Sequence, residues 1–108
     1  MDYNETLKQL GGQRFIVMVG ARELMKAPRG TNTMSFRFMQ GKEKITHLII
    51  YLNSMDTYDL EFGKIFAHTF VSVKKVKGVY ADQLQQVFTE VTGLRTHLWG
   101  WKWMEKKS

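Results

Sequence analysis

The sequence predicts an α+β domain: an antiparallel sheet of about five strands covered on one face by one long helix, with a short N-terminal helix and an extended C-terminal tail. Three observations carry this. Apolar and polar residues alternate in several short runs, most clearly over residues 34–39 and 57–62. The connections between runs are short, whereas parallel neighbours need crossovers of about a dozen residues or more. A later stretch changes to helical period, with Leu84, Val87, Phe88 and Val91 at i, i+3, i+4 and i+7.

Asp2 or Asn4 can cap a short helix that runs to Leu10, with Leu7 and Leu10 as its apolar contacts and Gly11-Gly12 as its stop. Residues 14–19, Arg-Phe-Ile-Val-Met-Val, form a continuous apolar run and read as a strand buried on both faces, ended by Gly20. Residues 22–33 hold the only proline, Pro28, followed by Gly30, and read as a basic loop. The start of that loop, 21–27, suits one or two helical turns.

The next strand, 34–39, sets Met34, Phe36 and Phe38 against Ser35 and Arg37, and a polar turn around Gly41 follows. Residues 45–52 contain Leu48-Ile49-Ile50-Tyr51-Leu52 and read as a central strand, with a turn over 53–56. Tyr58, Leu60 and Phe62 share one face of the strand at 57–62, Thr57, Asp59 and Glu61 share the other, and Gly63 permits a bend or bulge. The last strand, 69–75, sets Val71 and Val73 opposite Phe70 and leads into a basic turn over 74–78. The long helix spans 80–92. Asp82 suits its first turn, Gly93 stops it, and Leu94 can pack back on it.

At 108 residues the chain is one domain, 1–94, followed by a basic, tryptophan-rich tail over 95–108. It is 44% apolar and 24% charged, an ordinary globular balance. Without cysteine it has no disulfide, thiolate metal site or cysteine nucleophile. No apolar stretch approaches the roughly 18 residues of a membrane span. The first ten residues contain Asp2 and Glu5 and lack the pattern of a signal peptide, so a cytoplasmic location is expected. A formal charge of +6 favours acidic partners or serves solubility alone.

Two stretches are familiar together. One is Glu5-Thr6-Leu7-Lys8-Gln9-Leu10-Gly11-Gly12, with Phe15 and Met18-Val19-Gly20-Ala21 shortly after. The other starts at Leu52-Asn53-Ser54-Met55-Asp56-Thr57-Tyr58-Asp59-Leu60-Glu61-Phe62. It continues through Gly78-Val79-Tyr80-Ala81-Asp82-Gln83-Leu84 to Val87-Phe88-Thr89-Glu90-Val91-Thr92-Gly93-Leu94. Together they resemble a group of small proteins encoded in bacteriophage and prophage genomes. The resemblance spans about residues 5–94 and omits the tail. It implies a phage context and action in a bacterial host cytoplasm, and it carries no assigned catalytic or binding residue.

Asp56, Asp59 and Glu61 form the acidic cluster. Asp59 and Glu61 stand on one strand face roughly 7 Å apart, a spacing that suits Mg²⁺ or an acid–base pair. The same residues also suit the solvated face of an alternating strand. His47, His68 and His97 match no metal-ligand spacing. No nucleophile elbow or phosphate loop is present, so no catalytic residue, metal ligand or cofactor is assigned.

The candidate binding residues are basic and aromatic. Arg22, Lys26, Arg29 and Arg37 lie in a segment where cations outnumber Glu23 and Glu43. Lys74, Lys75 and Lys77 form a second cluster. The tail contributes Trp99, Trp101 and Trp103 at alternate positions, with Lys102, Lys106 and Lys107. As an extended segment it puts the three indoles on one face, suited to packing on the domain or to meeting a partner. These features support a non-catalytic phage accessory protein that binds a host or phage macromolecule, a protein first. Nucleic-acid binding through the cations, with tryptophan stacking, is the alternative. A small metal-dependent hydrolase or nuclease using the acidic cluster is the third reading. A homodimer suits the open sheet edges, and no membrane partner is expected.

Overall fold

The computed structural model describes residues 2–26 and 32–95, which form an α+β fold with one five-stranded antiparallel sheet and three α-helices. In order these are α1 (Tyr3–Leu10), α2 (Gly12–Val19), β1 (Arg22–Lys26), β2 (Thr33–Arg37), β3 (His47–Leu52), β4 (Tyr58–Phe66), β5 (Thr69–Val79) and α3 (Leu84–Thr92). The strands lie side by side in chain order, so β3 is central and β1 and β5 are the edges. The fold class, the strand number and the antiparallel arrangement match the expectation from sequence. The tail, including all three tryptophans, and Arg29 lie outside the described residues.

Several expectations about the elements are corrected. Residues 14–19 are helical, within α2. Phe15 and Val19, four residues apart, are fully buried, while Val17 between them is 66% exposed. A strand would have put all three on one face; a helix separates Val17 from the other two. The run was ambiguous because it is short and continuously apolar.

The start of the expected basic loop is instead β1. Its register with β2 runs Arg22↔Arg37, Met25↔Ser35 and Lys26↔Met34, with a bulge in between. All five of its residues are exposed, so no alternation marks it as a strand. Arg22, Glu23 and Lys26 put charge on an edge that would otherwise invite pairing with another chain.

The expected long helix is not present as one element. The stretch at 80–92 divides into a 3-10 turn, Ala81–Gln83, and the nine-residue α3. The apolar stripe is as expected, with Leu84 and Phe88 fully buried and Val87 and Val91 partly so. Gly93 ends the helix with φ 77°, its N–H donating to the Thr89 carbonyl at 2.7 Å. The turn before β3 clasps this end. Lys42 Nζ donates to the Glu90 carbonyl at 3.2 Å, where a cation also suits the helix dipole.

The core lies between the helices and one face of the sheet. Phe88 is its hub. Its ring meets Phe38 at 5.0 Å, Phe15 at 5.1 Å and Phe62 at 6.2 Å between centroids, which joins α3, α2 and the sheet. Leu48, Ile50, Leu60 and Met34 fill in from the strands. Helix α1 is capped by Asp2, whose Oδ1 accepts from the Glu5 N–H at 3.1 Å. A buried polar contact ties it to the sheet: the Tyr58 hydroxyl donates to Gln9 Oε1 at 2.9 Å and lies 3.1 Å from Thr6 Oγ1.

Candidate binding surface on the uncovered sheet face

With the helices on one side, the other sheet face is open. The register builds it row by row, since paired residues in an antiparallel sheet point the same way. One row crosses all five strands: Met25, Ser35, Ile49, Glu61, Lys75. A second holds Arg22, Arg37, His47 and Gly63. A third holds Thr33, Tyr51 and Asp59, and Tyr51 is 40% exposed.

Strands β4 and β5 run past the end of this sheet. Pairing of β3 with β4 stops at His47↔Gly63, but β4 and β5 continue to Phe66↔Thr69. The extension is a two-stranded ribbon over residues 64–71. Its open-face side carries Ile65, 50% exposed, and Phe70; its other side carries Phe66, 69% exposed, and Val71, 37% exposed. The turn residues Ala67 and His68 both have positive φ, 53° and 64°. No glycine or asparagine stands there to signal such a turn, so the ribbon is not legible from sequence. Gly63 marks its root. A Cβ at this position would run into the Phe70 ring and sit 2.5 Å from the Val71 carbonyl oxygen. Phe70 therefore lies across the glycine and meets His47 edge-on, centroids 6.5 Å apart.

Beside the ribbon is an open cleft of about 540 Å³. Arg37, Lys44, His47 and Lys64 bring nitrogen to it, Glu23 the one carboxylate among its lining residues, and Ile65 and Phe66, from opposite sides of the ribbon, its apolar lining. The bulge in β1, where Glu23 has φ 56°, brings Glu23 Oε2 within 3.6 Å of Arg37 Nη1. Both side chains are about half exposed, so this pair adds little stability. Nδ1 of His47 lies 2.7 Å from Thr46 Oγ1. Burial holds the His47 pKa below its ordinary value, the guanidinium groups of Arg37 and Arg22 push the same way, and Glu23 opposes them.

The expected binding residues are only partly brought together. Arg22 and Arg37 are directly opposed on the open face, and Arg22 Nη1 donates to the Gly20 carbonyl at 3.0 Å. Lys75 and Lys77 lie toward the far edge, around a smaller cleft of about 220 Å³ with Tyr51, Asp59 and Glu61. Lys74 pairs with Phe62 and so belongs to the helix side. Lys26 also turns to that side, its ammonium 5.1 Å over the Tyr3 ring. The expected basic turn over 74–78 is part of β5, bent by a bulge at Lys77 and Gly78.

The acidic cluster is tied into the backbone. Asp59 Oδ1 accepts from Asn53 Nδ2 and from the Gly78 N–H, each at 3.0 Å. Glu61 stands opposite Lys75. Among the described residues no group of three His, Asp or Glu side chains could hold a metal ion. Among them, too, no helix is long and apolar enough to cross a membrane. No protein-family model, curated protein or solved structure matches the chain.

Proposed function

We propose that the protein is a non-catalytic phage accessory protein, working in the host cytoplasm, that binds a host or phage macromolecule over the uncovered sheet face and the β4–β5 ribbon. The observation that carries this is the ribbon. A two-stranded hairpin standing alone is marginal in water, and this one presents Ile65, Phe66 and Val71 to solvent. A partner that covers these side chains recovers apolar burial at about 25 cal/mol per Å². Cations lining the cleft beside them, Arg37, Lys44 and Lys64, favour an acidic contact surface on that partner. The phage context rests on the sequence resemblance alone. Asp59 is engaged in holding a turn and a bulge, which favours binding over hydrolysis at this face.

A protein is the first partner, because the ribbon's outer side is apolar, and a second copy of the chain is one such protein. Pull-down from bacterial lysate with the wild type and with Phe66→Ser/Val71→Ser tests this. The wild type retains a stoichiometric partner that the variant loses; equal retention by both removes the ribbon from the reading.

Nucleic acid is the second reading, carried by Arg22 opposite Arg37 in one row with His47, on the same sheet face as the exposed Tyr51 ring. Single-stranded oligonucleotide should then shift in a gel at low salt and release steeply as salt rises. No complex at low salt ends that reading.

A further inference from the structure

We propose that the cleft between the turn before β3 and the β4–β5 ribbon binds a phosphorylated nucleoside, with its phosphate at Arg37, Lys44 and Lys64 and its base against Ile65. The inference rests on the reading that this face is a binding surface, and it names the ligand of one end of it. About 540 Å³ is ample for one nucleotide and lies within the usual range of small-molecule sites, roughly 300–1,000 Å³. The lining combines cationic and apolar side chains, as the two halves of a nucleotide require. Arginine and lysine supply a fork and point charges for phosphate oxygens, while a base has an apolar face that packs on exposed aliphatic and aromatic side chains.

The single carboxylate among the lining residues is held weakly. Glu23 meets Arg37 at 3.6 Å and is 58% exposed. A phosphate dianion offers Arg37 a stronger, bidentate partner and displaces it. Two lining residues, Glu23 at φ 56° and Lys44 at φ 63°, have left-handed backbone that non-glycine residues rarely adopt. Strain of this kind collects where side chains are held for a ligand. Thr46 Oγ1 engages Nδ1 of His47, which leaves Nε2 for a ligand. The groups around His47 are Arg37 from β2, Arg22 and Glu23 from β1, Lys64 from β4 and the Phe70 ring from β5. The cations disfavour a charged imidazole; a bound phosphate offsets them and favours it.

The shared chemistry is a phosphomonoester on a nucleoside, free or at the end of a strand. NMR and calorimetry on the full chain at fixed ionic strength, with AMP, adenosine, a phosphoserine peptide, and oligothymidylate with and without a 5′-phosphate, test it. AMP should shift the resonances of Arg37, Thr46, His47 and Ile65 and move the His47 titration to higher pH. Adenosine should bind about tenfold or more weaker, the loss of one charge-assisted contact or more. Arg37→Ala and Lys64→Ala should each weaken AMP about tenfold, with Lys8→Ala on α1 unchanged. A 5′-phosphorylated strand that outbinds AMP assigns the site to strand ends, and the reverse assigns it to free nucleotide.

The proposal is overturned if AMP leaves the cleft resonances unmoved, if adenosine binds as well as AMP, if Lys8→Ala weakens AMP as much as Arg37→Ala, or if the phosphoserine peptide outbinds AMP. If AMP fails while Phe66→Ser/Val71→Ser still abolishes partner capture, this inference falls and the macromolecule-binding reading stands.

Discussion

The carboxylate of Asp59 accepts a hydrogen bond from the backbone N–H of Gly78, 3.0 Å away, across the β4–β5 pairing. The same oxygen accepts from Asn53 Nδ2 at 3.0 Å. Asn53 in turn orders the tight turn, its Oδ1 accepting from the N–H groups of Met55 and Thr57 at 2.8 and 3.2 Å. One carboxylate thus joins the β3–β4 turn to the bulge of β5. Gly78 has φ 69°, so the bulge needs its glycine as well as its acceptor. Asp59→Ala should lower stability by about 1–3 kcal/mol, the cost of losing such an acceptor. Urea unfolding measures it, and a change within about 0.5 kcal/mol, typical of plain surface positions, would mean that the bulge holds without the carboxylate.

The ribbon's turn carries strain that substitution can relieve. Ala67 and His68 both occupy the left-handed region, at roughly 1–2 kcal/mol each for residues with a Cβ. Asn-Gly is the pair that such a two-residue turn prefers. Ala67→Asn/His68→Gly should raise stability by about 1–2 kcal/mol in chemical denaturation, with the sheet unchanged by circular dichroism.

Phe88 joins both helical layers to the sheet through its contacts with Phe15, Phe38 and Phe62. Phe88→Ala should cost about 3–5 kcal/mol, a large part of a small domain's total. Phe88→Leu keeps more of the volume and should cost less. Thermal melts of the two variants give the order.

His47 sets a pH dependence with a definite sign. Its folded pKa is lowered, chiefly by burial and then by Arg37, so the folded state holds the imidazole neutral more strongly than the unfolded chain does. The stability this contributes is present above the unfolded pKa of about 6.5 and is lost as pH falls through the folded value. Urea midpoints should therefore drop more between pH 7 and 5 for the wild type than for His47→Gln. Arg37→Gln should reduce the difference, and Glu23→Gln should enlarge it.

The legible part of the chain is the part where one face is dry and the other wet. Met34, Phe36, Leu60 and Phe62 alternate with polar residues because the helices cover only one side of β2 and β4, and the sequence shows it. The stripe through Leu84 and Phe88 is legible for the same reason. Alternation fails in β1, where both sides are exposed, and misleads over 14–19, where Phe-Ile-Val-Met-Val reads as a buried strand but winds so that Val17 faces water. In β5 the residues turned toward the core are Val73, Val76 and Val79, three apart, because bulges interrupt the two-residue period. The site was less legible still. Charge alone marks Arg37, but its neighbours Lys64, Ile65 and Phe66 come from a ribbon whose turn carries no turn residues. That grouping exists only through the β2–β3–β4 register.

The central claim is that the uncovered face and the ribbon, not the helical side, meet a partner. Site-specific photo-cross-linking in bacterial cells tests it most directly, with the reactive side chain placed at Tyr51 or Phe66 on one side and at Val17 or Glu5 on the other. One discrete adduct is expected from Tyr51 and Phe66 and none from Val17 and Glu5. Adducts from the helical positions, with none from Tyr51 and Phe66, would contradict it.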